Sequence, residues 1–245
     1  MLDGIKNLFS SDEPDPVCSA IVVAAGKGER MQSEVKKQFL PLLGMPVLAH
    51  TLEAIEKCPS VGEIILVVSE EDLLTAKDIV LATGLDKVKT IISGGKTRGE
   101  SVKKGLSEVS DNASIVLIHD GVRPCVKASL IEECIKNAEK HGASALGVKP
   151  KNTIKKTDKN GFIEETVDRD TLCEIQTPQC FQKEVIVRAY ENFDPSATDD
   201  CVLVEKTGVR VYITEGSYAN LKLTTREDLT MLSALIDAEA FSEEE

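Results

Sequence analysis

Short β-branched apolar runs alternate along this chain with amphipathic helical stretches, and that alternation restricts the fold more than any other feature. "CSAIVVAA" (18–25), "EIILVVS" (63–69), "VKTIIS" (88–93), "SIVLIHD" (114–120) and "ASALGVK" (143–149) read as strands. Helical patterns fall between them at 46–58, 70–83, 99–109 and 127–141. The first, "PVLAHTLEAIEKC", carries Pro46 in its opening turn and repeats apolar residues at Leu48, Leu52 and Ile55. Strands that are apolar on both faces need cover on both faces. The expectation is an α/β fold with a mostly parallel sheet flanked by helices. In such sheets ligands collect at the carboxyl ends of strands.

The rhythm breaks at 150–172, "PKNTIKKTDKNGFIEETVDRDTL". This stretch is too long for a tight connection and too polar for a core strand. Asn160-Gly161 between β-capable residues is a hairpin signal, so the segment reads as a projecting β-arm, a device that commonly meets a partner subunit. Helices near 182–192 and 199–207, a strand at 209–214 and a helix from about 225 complete the pattern. A single domain over 17–240 is expected, preceded by a short N-terminal extension, 1–16, that packs weakly.

The first strand runs into "AAGKGERM" (24–31), with "KKQF" following at 36–39. A dinucleotide fingerprint needs a third glycine where Met31 stands, and a Walker loop needs a Lys-Ser/Thr pair that is absent here. What remains is a turn of small residues, Ala24, Ala25, Gly26 and Gly28, that lets backbone N–H groups approach an anion, with Arg30 and Lys37 beyond it. An ordinary βα turn with surface cations is the plainer alternative.

Composition narrows the partner. A formal net charge of −12 argues against a nucleic-acid or membrane-surface binder. An acidic chain that binds a polyanion must gather its cations locally or recruit a metal. Seven cysteines, an odd number with no C-x-x-C, point to free thiols and a cytoplasmic setting. Three scattered histidines do not suggest zinc, no apolar run is long enough to cross a membrane, and the first residues lack a signal-peptide pattern.

Polar punctuation recurs at the strand ends: "AAGKGERM…KKQF", "GGKTRGESV" (94–102), "HDGVRP" (119–124), "TVDR" (166–169), "QTPQ" (176–179), "TDD" (198–200) and "NLKLTT" (220–225). In this order and spacing, over about residues 17–235, the chain resembles the 2-C-methyl-D-erythritol 4-phosphate cytidylyltransferase family of the bacterial non-mevalonate isoprenoid pathway. The resemblance implies a Rossmann-like nucleotidyltransferase fold. It also implies CTP as co-substrate, Mg²⁺ or another divalent cation, and a homodimer locked through the arm.

The chemistry so implied suits the residues. A phosphomonoester oxygen attacks the α-phosphorus of CTP and pyrophosphate leaves. At an effective dielectric near 20, like charges about 4 Å apart repel by about 4 kcal/mol, so catalysis is mostly charge neutralisation and in-line positioning. A phosphomonoester is already largely a dianion at neutral pH, so no general base is required. By resemblance, Arg30 and Lys37 sit on the triphosphate, and Arg169 and Lys222 grip the substrate phosphate. Gly94, Gly95 and Ser101 surround cytosine and ribose, and Asp120 holds the metal. Gly121, Arg123, Thr177 and Thr198 join Ala24, Ala25, Gly26 and Gly28 among the substrate contacts. Taken alone, Asp120 also fits a helix cap, "GGKTRGES" a helix-start turn, and Lys222 a solvated lysine.

Two positions depart from the family's pattern. Lys36 stands where a proline is common, which predicts a less constrained loop. Val122 stands where alanine is common, and valine there is frequent in relatives that act on D-ribitol 5-phosphate. The first expectation is therefore transfer to methylerythritol phosphate, with the same reaction on ribitol 5-phosphate as its alternative. A third possibility is a non-catalytic nucleotide-binding dimeric module. The joint presence of Arg30, Lys37, Asp120, Arg169 and Lys222 weighs against it.

Overall fold

The computed structural model describes residues 18–26 and 35–242. Gly28, Arg30 and the 1–16 extension lie outside the described residues.

The strands β1 (Cys18–Val23), β4 (Val61–Val68), β5 (Val88–Ser93), β6 (Ile115–Asp120), β7 (Ala143–Val148), β10 (Glu174–Gln182) and β11 (Tyr212–Glu215) form one seven-stranded sheet in the order β11-β7-β10-β6-β1-β4-β5. β1 pairs parallel with both β4 and β6, and β4 pairs parallel with β5. Side chains alternate along these strands with period two. Ala20, Val22, Ile64, Leu66, Ile115 and Leu117 enter one apolar layer, and Ile21, Ile65, Val67, Val116 and Ile118 enter the other. Helices α1 (Val47–Glu56), α2 (Leu73–Thr83) and α4 (Ala128–His141) cover the first layer. Helices α3 (Arg98–Leu106), α5 (Lys183–Glu191) and α6 (Asp200–Glu205) cover the second. Both faces are buried, which is why these strands read as continuous apolar runs.

Three local differences from the sequence reading have physical causes. Pro46 belongs to a two-residue strand, β3 (Met45–Pro46), paired with β2 (Pro41–Leu42), and caps α1 from outside it. The helix expected from residue 70 begins with a 3₁₀ turn at Glu70–Asp72. "QTPQCF", to which the sequence reading gives no strand, lies inside β10, which runs antiparallel to both β6 and β7. Pro178 cannot donate to a ladder, and the pairing with β7 is interrupted between Ile175 and Gln179, where it stands.

The 150–172 stretch contains β8 (Ile154–Thr157) paired antiparallel with β9 (Ile163–Val167). Asn160 and Gly161 fall in their connection. Asp158 Oδ1 accepts from the backbone N–H groups of Asn160 and Phe162, each at 2.9 Å, and Gly161 takes φ +90°. The C-terminal helix α7 (Arg226–Ser242) closes a third apolar cluster through Leu232, with Leu42, Val47, Val122 and Leu223. Among the described residues no helix is long and apolar enough to cross a membrane, and no cysteine is disulfide-bonded.

Candidate active site

From β1 the chain builds outward through β4 and β5, then returns to place β6 on the other side of β1. The carboxyl ends of these strands therefore open at a topological switch point. Backbone hydrogen bonds hold the ends together: Ala24 N–H donates to Val67 O (2.7 Å), Gly94 N–H to Val68 O (2.7 Å) and Gly121 N–H to Val23 O (2.9 Å). Above them lies a cavity of about 940 Å³. Of the residues named in the sequence analysis, Ala24, Ala25, Gly26, Lys37, Gly94, Gly95, Ser101, Asp120 and Lys222 line it.

The two glycine segments form adjoining walls. A Cβ on Gly94 would stand 2.7 Å from both Ala25 Cβ and Ser101 Oγ, so the close approach of the turns requires glycine there. The Ser101 hydroxyl holds the loop from within, accepting from Gly95 N–H (3.1 Å) and donating to Thr97 O (3.0 Å). Thr97 caps α3 by accepting from Glu100 N–H at 3.1 Å, and Lys104 Nζ donates to Gly94 O at 2.8 Å.

Asp120 ends β6 with its side chain only 8% exposed. Arg98 Nε lies 3.2 Å from its Oδ1, while Lys222 Nζ (2.8 Å) and Arg123 Nε (3.4 Å) approach Oδ2. Burial alone would raise the carboxyl pKa. Arg98, then Lys222 and Arg123, outweigh it and hold Asp120 ionised well below the usual carboxylate range. The backbone N–H of Asp120 donates to Thr177 Oγ1 at 3.1 Å.

Arg98 also reaches Asp200 Oδ2 through Nη1 at 2.8 Å, and Tyr190 donates to Asp200 Oδ1 at 2.5 Å. Burial would lower the Arg98 pKa, but Asp200 and Asp120 raise it, so the guanidinium stays charged. Its Nη2 is buried with no hydrogen-bond partner among the described residues, and Arg98 lines the cavity.

Several expected residues stand elsewhere. Arg123 supports Asp120 from beneath, donating to Asn220 O at 2.9 Å, and does not line the cavity. Gly121 packs under Ala24, and Thr177 sits beneath Asp120; neither lines the cavity. Thr198 is exposed and does not line it. Arg169 is also exposed on the arm, in a 3₁₀ turn, donating to Lys151 O at 2.8 Å. Arg30 and Gly28 are not among the described residues.

Sequence reasoning missed Arg98, although it sits inside the quoted "GGKTRGES"; its partner Asp200 lies 102 positions away. It also missed Gln38, which donates to Ala24 O (2.8 Å) and Gly26 O (3.3 Å) and so shapes the first glycine turn. The sequence offered only the amide within "KKQF"; its burial appears in the folded chain. Lys36, where a less constrained loop was expected, is itself tied down, with Nζ 2.7 Å from Asp72 Oδ2 and 2.9 Å from Ser69 Oγ; residues 27–34 of that loop lie outside the described residues.

A twisted α/β sheet with this strand order, opening a cation-lined cavity at its switch point, defines the Rossmann-like nucleotidyltransferase class. A family profile described as IspD, 2-C-methyl-D-erythritol 4-phosphate cytidylyltransferase, matches residues 18–238, and the chain belongs to that family. It is 45% identical over 221 residues to the 2-C-methyl-D-erythritol 4-phosphate cytidylyltransferase of Clostridium acetobutylicum, covering 89% of this chain and 96% of the relative. The enzyme of the same name from Clostridium novyi is also 45% identical, with the same coverage. Among solved structures, the 4-diphosphocytidyl-2C-methyl-D-erythritol synthase of Anaerococcus prevotii superposes with a TM-score of 0.79 at 33% identity, covering 91% of this chain and 97% of that one.

Proposed function

We propose that this chain transfers the cytidylyl group of CTP to 2-C-methyl-D-erythritol 4-phosphate, giving 4-CDP-2-C-methyl-D-erythritol and pyrophosphate in isoprenoid precursor synthesis. Family membership supports the reaction. The observation that carries the site assignment is the convergence of Lys37, Arg98, Lys222 and Asp120 on one cavity beside two glycine turns.

The steps follow from that arrangement. The Ala24–Gly26 turn receives the triphosphate and the Gly94–Ser101 loop the cytidine, both through close backbone approach. Lys37, with Arg30, neutralises charge on the α-phosphate and the leaving pyrophosphate. Lys222 orients the acceptor phosphate, whose oxygen forms the new bond to the α-phosphorus as the bond to pyrophosphate breaks. The buried Nη2 of Arg98, a donor without a protein partner among the described residues, suits an anionic oxygen.

The donor set also bears on the metal. Among the described residues no group of three or more His, Cys, Asp or Glu could hold a metal ion, so a closed protein cage is not what these residues fit. They fit Mg²⁺ arriving with the nucleotide, bound by one carboxylate, Asp120, together with phosphate oxygens and water. Bound there, it would offset phosphate charge.

A homodimer through the arm completes the proposal. Phe162 and Ile163, 73% and 63% exposed near the hairpin tip, support a partner there, as does the position of Arg169 outside its own cavity. A net charge of −12 and the pattern of free thiols support a cytoplasmic enzyme with small-molecule substrates, without a nucleic-acid or membrane partner.

The test is pyrophosphate release with CTP or UTP, with and without Mg²⁺, across methylerythritol 4-phosphate and D-ribitol 5-phosphate. Val122 lines the cavity, which is why ribitol phosphate belongs in the panel. Metal-dependent release that is strongest with CTP and methylerythritol phosphate is expected. A wrong base leaves polar groups unpaired at about 1–3 kcal/mol each, so equal kcat/KM for CTP and UTP overturns the reading of the glycine loop. Absence of release with every acceptor overturns the enzyme.

A further inference from the structure

Two adjacent lysines precede the buried Gln38, and their ammonium groups have different duties. Lys37 lines the cavity and donates to Leu223 O at 3.2 Å. Lys36 does not line it. Its three N–H donors meet three acceptors: Ser69 Oγ at 2.9 Å, Asp72 Oδ2 at 2.7 Å and the Glu71 carboxylate. Ser69 Oγ donates to the same Asp72 oxygen at 2.5 Å. The Lys36 and Asp72 side chains are 21% and 12% exposed, so solvent screens this pair less than an ordinary surface pair. Burial by itself would lower the Lys36 pKa, but the hydrogen bonds it donates to the Asp72 and Glu71 carboxylates raise it above the usual value.

The contacts close a ring. Ser69–Asp72 directly follows β4, whose Val67 O and Val68 O hold Ala24 N and Gly94 N of the two glycine turns. Ala24 O and Gly26 O in turn hold Gln38, within the 3₁₀ turn Lys37–Phe39. That turn is anchored at its start, where Phe39 N–H donates to Lys36 O at 2.9 Å. The Lys36 side chain then returns to Ser69 and Asp72. Cutting the ring at Lys36 removes the side-chain link between this turn and the end of β4, leaving Gln38, the Lys37 contact with Leu223 O and the Val47 N–H bond to Leu40 O to hold it.

We propose that Lys36 is a positioning residue: its ion pair with Asp72 locks the Lys37–Phe39 turn to the end of β4, so that Lys37 and the Ala24–Gly26 backbone meet the nucleotide phosphates in one fixed arrangement. The inference rests on the reading that Lys37 acts on those phosphates. Because a misplacement of about 1 Å in a catalytic group can cost about 10²-fold in rate, partial loosening falls on kcat. Binding of the polyol phosphate on the Lys222 side is spared.

The test compares Lys36→Met, Lys36→Arg, Asp72→Asn and the double variant Lys36→Met/Asp72→Asn in the pyrophosphate-release assay. Thermal melts establish that each variant is folded. Lys36→Met and Asp72→Asn are each expected to lower kcat about tenfold while the KM for polyol phosphate stays within about twofold. The double variant should match the worse single one, because both changes remove the same pair. Lys36→Arg should recover most of the lost turnover, a rescue that mere bulk at this position does not provide. Near-native kcat in folded Lys36→Met, or losses that multiply in the double variant, overturn the proposal. Should Lys36→Met not fold, Asp72→Asn decides alone, and native turnover there overturns it. Lys37→Ala separates the two layers. If that variant remains active, the reading of Lys37 fails; if it is dead while Lys36→Met is native, only the clamp fails.

Discussion

Lys222 Nζ lies 2.8 Å from Asp120 Oδ2, and this contact joins the loop before α7 to the end of β6. Arg98 and Arg123 share the same carboxylate, so one anion is surrounded by three cations drawn from separate segments. In a chain of net charge −12 this concentrates cations beside the cavity, where the proposed reaction receives a triphosphate. Asp120 thus holds the cations in place, and under the proposed function it also faces the nucleotide.

Asp120→Asn tests both duties. The amide cannot balance Arg98, Arg123 and Lys222, and removing one partner of a buried charge cluster costs about 3–5 kcal/mol. Turnover should fall by about 10²–10³ as the cations lose their arrangement. Urea denaturation and steady-state kinetics on the same preparation check the two effects. A folded variant with near-native kcat removes Asp120 from the machinery.

His119, fully buried beside Asp120, predicts a particular acid sensitivity. Its Nε2 lies 3.3 Å from Arg123 O, which can only accept, so Nε2 carries the proton. Nδ1 is buried without a partner among the described residues. Burial pushes the imidazole pKa down to about 4. The folded value is depressed, so the stabilisation is complete above the unfolded value of about 6.5 and is lost as pH falls toward 4, a change of about 3 kcal/mol. Denaturant midpoints should decline across that window in the parent chain and much less in His119→Gln. Depressed carboxylates such as Asp120 act at lower pH and leave the window clear. An unchanged slope in the variant assigns the sensitivity to another group.

Arg169 is expected to serve the neighbouring subunit's cavity. Co-expression of a Lys37→Ala chain with an Arg169→Ala chain, each inactive alone, places both defects in one site of a mixed dimer and leaves the other site intact. With random pairing, about a quarter of parental sites should return in a two-fold dimer. Well-populated mixed dimers with no recovered activity refute the crossed arm and leave the reaction untouched.

The parallel centre of the sheet and the positions of the glycine turns were legible in the amino-acid sequence, because both arise from local causes. β1, β4 and β6 bury both faces, so their residues are apolar at successive positions, and a turn that must approach another backbone closely needs glycine at Gly94. Asp120 was legible too, as the polar residue ending a buried strand. Tertiary structure alone decided the rest. The polar residues Gln176, Thr177 and Gln179 hide β10 from an apolar strand pattern, and their bonds to Ser217 O, Asp120 N–H and Asp199 form only between distant segments. Neither local propensity nor periodicity tells which carboxylate a buried guanidinium will meet. Arg98 therefore found Asp200, and Lys36 found Asp72, only when distant segments were brought together by burying the two faces of the sheet.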